Sequence, residues 1–222
     1  KVEKIASNRR YVLPNGKISF GRGSASGRNI LAARAPEGTI DPWLKTLSFW
    51  NGGKAVAALS GYATHPMSYY RTGEVSADFP GIARNRRQKE TPDCLQIYFS
   101  GASGNVTAGK YNSGMRKNRA VLSNRLHGAM ALAWKNTRRQ VLKQIEFRNA
   151  ELFLKPRDHP GFTEADFDKK LVKGVNHWHQ CLAALGLSWR RRCESGQPVD
   201  VPAIDFGPAQ LLLLPGESYV EY

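Results

Sequence analysis

Two side chains able to bind a metal ion stand at the ends of apolar runs in this sequence. His65 closes a run of small residues and is followed at once by Pro66, and Glu217 comes just after the run 211–215. A neutral imidazole and a carboxylate are ligand types of catalytic zinc, where about three protein groups leave one position open for water. The pair is therefore a candidate hydrolytic metal site. The structural alternatives are a histidine hydrogen-bonded at a sheet edge and a surface glutamate in a turn.

A run of small residues, SGASGNVTAG at 100–109, could hold a substrate near such a metal. It directly follows an apolar stretch, 94–99, that predicts a strand. Glycines let the chain take positive φ angles and bring backbone N–H groups or a hydroxyl close to a ligand. A plain tight turn needs the same residues, so both interpretations of this run stay open.

These groups need a sheet to position them, because loops that leave a rigid sheet converge on a shared crevice. The clearest hairpin pattern, 43–64 with Asn-Gly-Gly at its turn, ends at His65. A late apolar strand is predicted within 204–214. We expect the strands that end at His65, Phe99 and Leu214 to lie close together in one mixed sheet.

The remaining patterns predict helices around this sheet and a further set of strands. The predicted helices are 79–89 with Asp78 as N-cap, 118–141, and 163 to about 185 with a Thr163–Asp166 capping box and a basic turn at 188–194. The other predicted segments are strands at 2–12, 17–20 and 144–154 and a long ordered loop at 21–42. The predicted fold class is α/β, a mixed β-sheet flanked by helices with a helical insertion near residues 160–195.

The composition indicates a folded protein with a basic surface. Of the 222 residues 41% are hydrophobic, enough to bury a core, and no apolar run approaches the ~18 residues of a membrane span. The net charge of +15 would favour nucleic acid, anionic membrane or an acidic substrate. The basic clusters at 84–87, 138–139 and 190–192 accompany no nucleic-acid motif, so we interpret them as solvated helix faces and expect no specific nucleic-acid partner.

The three cysteines have neither CxxC spacing nor an even count, so they predict neither a zinc knuckle nor a disulfide framework.

The order and spacing of several short motifs resemble the neutral/alkaline, non-lysosomal ceramidase family, and especially the ceramidase-like proteins of environmental bacteria. The matching segments are NR at 8–9, TIDP at 39–42, ATHPMS at 63–68, SADFPG at 76–81, GASGNVT at 101–107 and LPGE at 214–217. They cover nearly the whole chain, so the resemblance does not depend on one motif.

The resemblance implies a zinc site. In that family the histidine of the ATH motif and a glutamate after a late apolar strand bind zinc, so these roles carry onto His65 and Glu217. The family takes further ligands from a His-Thr-His segment upstream and a tyrosine downstream. By resemblance, residues 1–222 are the central portion of a ceramidase-like catalytic domain, with 160–200 as a helical insertion and the rest of the domain outside them.

The resemblance also implies substrate-binding groups. The family's glycine-rich loop holds a serine proposed as nucleophile or substrate-positioning group, and Thr107 stands at its place, with Asn105 at the place of an aspartate. Ser103 offers a nearby alternative hydroxyl. Arg9 resembles an arginine that contacts the substrate amide, and Asn105 and Ser68 join it as expected substrate-binding residues.

The implied reaction is hydrolysis of the N-acyl amide bond of ceramide or a related acyl amide. Zinc would polarise the carbonyl and lower the pKa of bound water toward about 7, while Arg9 and Thr107 orient the amide. The nucleophile stays open between Thr107, Ser103 and that water. The implied partner is a lipid-like acyl amide, with peripheral membrane contact as a further expectation, and the resemblance suggests a secreted or periplasmic protein.

Two hypotheses from other classes compete with this one. A basic module that binds anionic membrane or nucleic acid predicts steep salt dependence and no metal. A non-catalytic fragment predicts a folded chain that carries out no chemistry.

The interpretation of the basic clusters predicts that the chain does not retain duplex DNA at micromolar concentration near physiological salt. Filter binding over a series of salt concentrations measures this. Micromolar or tighter retention that weakens with a large salt slope would favour the binding-module hypothesis.

Overall fold

The structure, a computed structural model, describes residues 1–70, 72–172 and 174–221. The chain divides into two units, Lys1–Val141 with Gly216–Tyr222 and Leu142–Pro215. Every candidate site residue named above belongs to the first unit. The described residues combine one mixed sheet and three antiparallel sheets with helices, which confirms the predicted α/β class. Among them, no helix has the length and apolar character needed to cross a bilayer.

The first unit contains seven strands and three α-helices within the described residues. The strands are Ser7–Asn8 (β1), Tyr11–Val12 (β2), Ile18–Ser19 (β3), Lys45–Asn51 (β4), Lys54–Tyr62 (β5), Leu95–Ser100 (β6) and Val106–Thr107 (β7). The helices are Ile30–Arg34 (α1), Asp78–Glu90 (α2) and Arg116–Lys135 (α3), and a 3-10 turn covers Ser26–Arg28.

A mixed sheet of β4, β5 and β6 leads the chain to His65. β4 and β5 form the predicted antiparallel hairpin, and β6 pairs with β5 in parallel. The parallel register places Gly61 opposite Phe99, and a Cβ on Gly61 would lie 2.5 Å from the Phe99 ring. The small residues of β5 therefore let its neighbours pack directly on its backbone.

The core of this unit forms around helix α3. Leu122, Leu126 and Met130, spaced four residues apart, are buried and pack with Ile5 and Phe79. This confirms the apolar stripe that the sequence predicted, because side chains at this spacing lie on one face of a helix. Burying each of these large side chains stabilises the fold by roughly 1.5–3 kcal/mol.

The predicted first strand, 2–12, is broken into β1 and β2. β1 pairs with β7, and β2 forms a hairpin with β3 through the predicted turn at 14–16. The chain changes direction between β1 and β2, where the Asn8 side-chain oxygen accepts a hydrogen bond from the Arg10 N–H at 2.9 Å. This local bond supplies a turn where the pattern predicted a continuous strand.

Arg22 fixes the long loop 21–42 from inside the protein. It is fully buried, its Nε donates to the Ala32 carbonyl at 2.9 Å, and its Nη1 donates to the carbonyls of Asn8 at 3.1 Å and Pro36 at 2.9 Å. Burial lowers the pKa of the Arg22 guanidinium. The segment is thus ordered, as predicted, because a buried cation binds its backbone carbonyls. The prediction of loop throughout is wrong, since the 3-10 turn and α1 lie within it.

The second unit contains a three-stranded antiparallel sheet and two helices within the described residues. The strands are Glu146–Leu152 (β8), Val199–Asp205 (β9) and Gln210–Leu212 (β10), in the order β10-β9-β8, and the helices are Glu164–Asp168 (α4) and His177–Glu194 (α5). Phe167 from α4 packs with Ala183 and Leu187 from α5. The helical insertion near 160–195 is confirmed.

Three details of the sequence-based prediction for this unit are wrong. The capping box at Thr163 and Asp166 is present, but its helix ends at Asp168 and a second helix begins at His177. The predicted strand 204–214 is a hairpin, because the Asp205 carboxylate accepts the Gly207 N–H at 2.8 Å and Gly207 takes a φ of 85°. β10 therefore pairs with β9, so the strand near Leu214 does not join the sheet of β5 and β6.

The basic clusters are mostly exposed or half-buried; those at 84–87 and 190–192 lie on helices α2 (Asp78–Glu90) and His177–Glu194 as expected, whereas 138–139 lie beyond the end of α3. Arg87 is the exception, since it is buried, pairs with Glu90 and has its guanidinium 5.9 Å from the centre of the Trp134 ring. Its charge belongs to the packing of α2 on α3 and is not part of a basic surface.

Replacing Arg22 should destabilise the first unit. Arg22→Met leaves several buried carbonyls without a donor, so we expect the free energy of unfolding to fall by about 3 kcal/mol. Urea denaturation measures the change. Arg28→Met, at an exposed position in the same loop, is the matched control and should change stability by less than about 0.5 kcal/mol.

Candidate metal and substrate site

His65 lies three residues beyond the end of β5, and backbone carbonyls hold its ring. Its Nδ1 lies 2.7 Å from the Ser103 carbonyl oxygen and 3.0 Å from that of Val106, and its backbone N–H also donates to Val106 at 2.9 Å. Because a carbonyl oxygen only accepts hydrogen bonds, Nδ1 carries the proton of the neutral ring. In the neutral ring Nε2 then carries the lone pair, which is the form that binds a metal.

Glu217 lies opposite His65 Nε2. Its Oε1 lies 3.4 Å from His65 Nε2, and its side chain is 72% exposed whereas that of His65 is 13% exposed. Gly216 precedes it with a φ of 88°, a conformation that favours glycine. The structure thus brings together the two residues that the sequence paired, although they lie far apart in the chain. Among the described residues, no group of three or more His, Cys, Asp or Glu side chains is placed to hold a metal ion.

The turn 103–106 carries the carbonyls that orient His65. It begins just beyond β6, where the Gly101 N–H donates to the Tyr62 carbonyl at 3.1 Å, and it closes with a bond from the Val106 N–H to the Ser103 carbonyl at 2.9 Å. β7 then pairs with β1. The run of small residues is therefore a tight turn whose carbonyls and N–H groups point to neighbouring segments.

Thr107 and Ser103 occupy different environments. Thr107 is 2% exposed, and its hydroxyl lies 3.3 Å from the Arg22 carbonyl and accepts the Gly109 N–H at 3.1 Å. Ser103 is also buried, but its hydroxyl makes no hydrogen bond to other residues in the described part of the chain. Of the two candidate hydroxyls, only that of Ser103 is free to turn toward a ligand.

Arg9 and Asn105 meet through their backbones. The Arg9 N–H donates to the Asn105 carbonyl at 2.7 Å, and the Arg9 side chain is exposed. Asn105 is buried, and both ends of its amide bind the segment that carries Glu217, at Val220 and Glu221. Arg9 is thus available to a substrate, whereas the Asn105 side chain is occupied.

Ser68 is buried, and the carboxylate of Asp78 occupies its polar groups. The Ser68 N–H donates to Asp78 at 2.9 Å, the Ser68 hydroxyl also donates to Asp78, and the Ser68 carbonyl accepts from Asn112 Nδ2 at 2.6 Å. Asp78 itself opens α2 with a φ of 49°, and Ala77 takes the N-cap position predicted for Asp78. Asp78 holds the loop after His65, a role that its position before a helix did not reveal.

The buried Tyr62, at the end of β5, adds no charge to this region. Desolvation raises the pKa of its phenol above the ordinary value, so the phenol stays neutral.

No family model and no curated protein matches this chain. Two solved structures have a similar fold. A neutral ceramidase from Pseudomonas aeruginosa matches with a TM-score of 0.59 and 16% identity over 98% of this chain and 39% of that chain. A ceramidase complexed with C2 matches with a TM-score of 0.60 and 14% identity over 98% of this chain and 40% of that chain.

The fold of this chain is therefore similar to that of part of each of these two proteins, which confirms the resemblance at the level of fold. The chain spans about two fifths of the length of the enzymes it matches.

Enlarging Gly104 should displace the segment that carries Glu217. A Cβ on Gly104 would lie 2.6 Å from the Glu217 carbonyl oxygen and 2.9 Å from the Tyr219 ring, both closer than packed atoms approach. We expect Gly104→Ala to lower the free energy of unfolding by about 1–3 kcal/mol, as measured by urea denaturation. Gly53→Ala is the control, because nothing lies within 4 Å of its added Cβ. Equal stability of the two variants would contradict the tight contact at Gly104.

Proposed function

We propose that this chain forms part of a zinc-dependent amidohydrolase of the neutral ceramidase type, which cleaves the N-acyl amide bond of ceramide or a related acyl amide. The observation that carries the proposal is the pairing of His65 Nε2 with Glu217 Oε1 at 3.4 Å. The fold similarity to two ceramidases supports it independently of these side chains.

The chemistry of the two side chains fits a zinc ion. Backbone carbonyls hold His65 Nδ1–H, an arrangement typical of metal-binding histidines because it fixes the ring and its tautomer. The Glu217 carboxylate is exposed and approaches Nε2. Zinc held there would supply a Lewis acid that polarises the amide carbonyl. Two groups fall short of the roughly three protein ligands usual for catalytic zinc, so the proposal includes further ligands from outside this chain.

Residues in the turn 103–106 and bonded to it would bind and orient the amide. The exposed guanidinium of Arg9 carries five N–H donors and can bind the amide oxygen as negative charge develops on it. Ser103, in the turn that orients His65, offers a hydroxyl for a second contact or for attack on the carbonyl. Hydrolysis adds the oxygen of water to the carbonyl carbon, directly or after an ester to Ser103 has formed, breaks the C–N bond, transfers a proton to the nitrogen and releases a carboxylate and an amine.

We assign Thr107 a structural role in this reaction. Its hydroxyl binds backbone groups of Arg22 and Gly109 and would have to leave them to reach a substrate. The nucleophile is then Ser103 or a water molecule. Ser103→Ala separates the two, because loss of a nucleophile abolishes turnover, whereas loss of an orienting contact leaves measurable turnover.

Zinc binding by this chain tests the proposal most directly. We expect weak binding with two ligands, and a further loss of at least about tenfold in His65→Ala and in Glu217→Gln, measured by competition with a chelating indicator. His179→Ala, at an exposed histidine of the second unit, is the control and should bind zinc like the wild type.

Activity is tested in a form of the protein that includes the family's upstream His-Thr-His and downstream tyrosine segments. This longer form should bind zinc more tightly by orders of magnitude and hydrolyse a fluorescent short-chain N-acyl sphingosine, because each properly placed ligand adds binding free energy. His65→Ala should abolish both properties. Undiminished zinc binding and hydrolysis after His65→Ala would show that His65 is only a hydrogen-bonded histidine at a strand end.

A further inference from the structure

We infer that Asn105, Glu221 and Arg10 form a clamp that holds the segment 216–221 on the turn 103–106 and so positions Glu217 against His65. The inference rests on the proposed function, because it takes Glu217 as a metal ligand. It makes Asn105 a positioning residue, whereas the family resemblance implied that Asn105 binds substrate.

Asn105 binds the segment with both ends of its side-chain amide. Its Nδ2 donates to Glu221 Oε2 at 2.7 Å, and its Oδ1 accepts the Val220 N–H at 3.1 Å. The residue is 3% exposed. An amide can donate and accept at the same time, which neither a carboxylate nor a hydrocarbon side chain can do. The site therefore uses both hydrogen-bonding functions of this residue.

Gly104 adds a backbone contact next to the ligand. Its N–H donates to the Ser218 carbonyl at 2.9 Å, and the close approach of Glu217 and Tyr219 leaves no room for a side chain. Glu217 lies between Gly216 and the anchored Ser218, and its carboxylate approaches His65 Nε2. The position of the Glu217 carboxylate therefore depends on the position of the backbone at residues 216–218.

Arg10 is the third member of the clamp and contacts two residues of the segment 216–221. Its guanidinium lies 3.5 Å from Glu221 Oε1 and 4.9 Å from the centre of the Tyr219 ring. These groups are partly exposed, so the ion pair adds little stability by itself. The two carboxylate oxygens of Glu221 thus have different partners, Arg10 and Asn105. A negative charge at position 105 would instead face the Glu221 carboxylate across a distance that now holds a hydrogen bond.

The hydrogen bond from Asn105 to Glu221 has a donor on one side and an acceptor on the other, so exchanging the two functions tests the inference in the intact chain. Asn105→Asp removes the donor and places two carboxylates together, so we expect zinc affinity to fall about tenfold. Glu221→Gln combined with Asn105→Asp restores a donor opposite an acceptor, and affinity should return to within about threefold of the wild type. Glu151→Gln, at an exposed carboxylate of the second unit, is the control and should leave zinc affinity unchanged.

A double-mutant cycle separates positioning from general loosening of the fold. If Asn105 acts through Glu217, Asn105→Asp should weaken zinc binding in the wild type but cause no further loss in a Glu217→Gln background. A second readout does not involve metal. Hydrogen exchange at the Val220 amide should accelerate at least about tenfold in Asn105→Asp and regain its protection when Glu221→Gln is added.

Three results would overturn the inference, and they differ from failure of the proposed function. The first is that Asn105→Asp lowers zinc affinity equally in the wild type and in the Glu217→Gln variant. The second is that adding Glu221→Gln does not restore the zinc affinity of Asn105→Asp. The third is that Asn105→Asp binds zinc like the wild type while His65→Ala still weakens binding. If His65→Ala and Glu217→Gln bind zinc like the wild type, the proposed function itself fails and the inferred role of the clamp in metal binding fails with it. In that case Val220 exchange still reports whether the clamp holds the segment.

Discussion

The position of one backbone turn, 103–106, decides the geometry of the candidate site. Its carbonyl oxygens accept the hydrogen bond of His65 Nδ1, and its Gly104 and Asn105 bind the segment that carries Glu217. The turn is held between β6, which precedes it, and β7, which pairs with β1. One short piece of chain therefore orients the first candidate ligand and locates the second, so a shift of the turn would move both.

Buried polar side chains hold the loops around this turn. Arg22 binds carbonyls of the loop 21–42, Asp78 binds Ser68 after His65, and Asn112 Nδ2 donates to the carbonyls of Ser24 at 2.7 Å and Ser68 at 2.6 Å. Backbone groups that are removed from water need partners, and these loops lack a sheet to provide them. Side-chain donors and acceptors take that role, which makes the loops rigid enough to flank a site.

The fold similarity and the local geometry lead to one proposal from different directions. The similarity to ceramidases concerns the path of the backbone over 98% of the chain, at an identity too low to transfer residue roles. The geometry concerns two side chains, a histidine whose Nδ1–H is held by carbonyls and a carboxylate that faces its Nε2. The burial of Thr107 also changes the order of the candidate nucleophiles, because a hydroxyl bound to backbone groups must break those bonds before it can react.

The sequence by itself determined the features that depend on neighbours along the chain. The β4–β5 hairpin follows from its turn residues, the buried face of α3 from the spacing of Leu122 and Leu126, and the capping box from Thr163 and Asp166. Only the tertiary structure decided which distant segments meet: β1 with β7, β8 with β9, and Asn105 with Glu221, 116 residues later. The physical reason is that short polar segments have many partners of similar local energy, so the choice among them depends on the closure of long loops and on burial in the completed core.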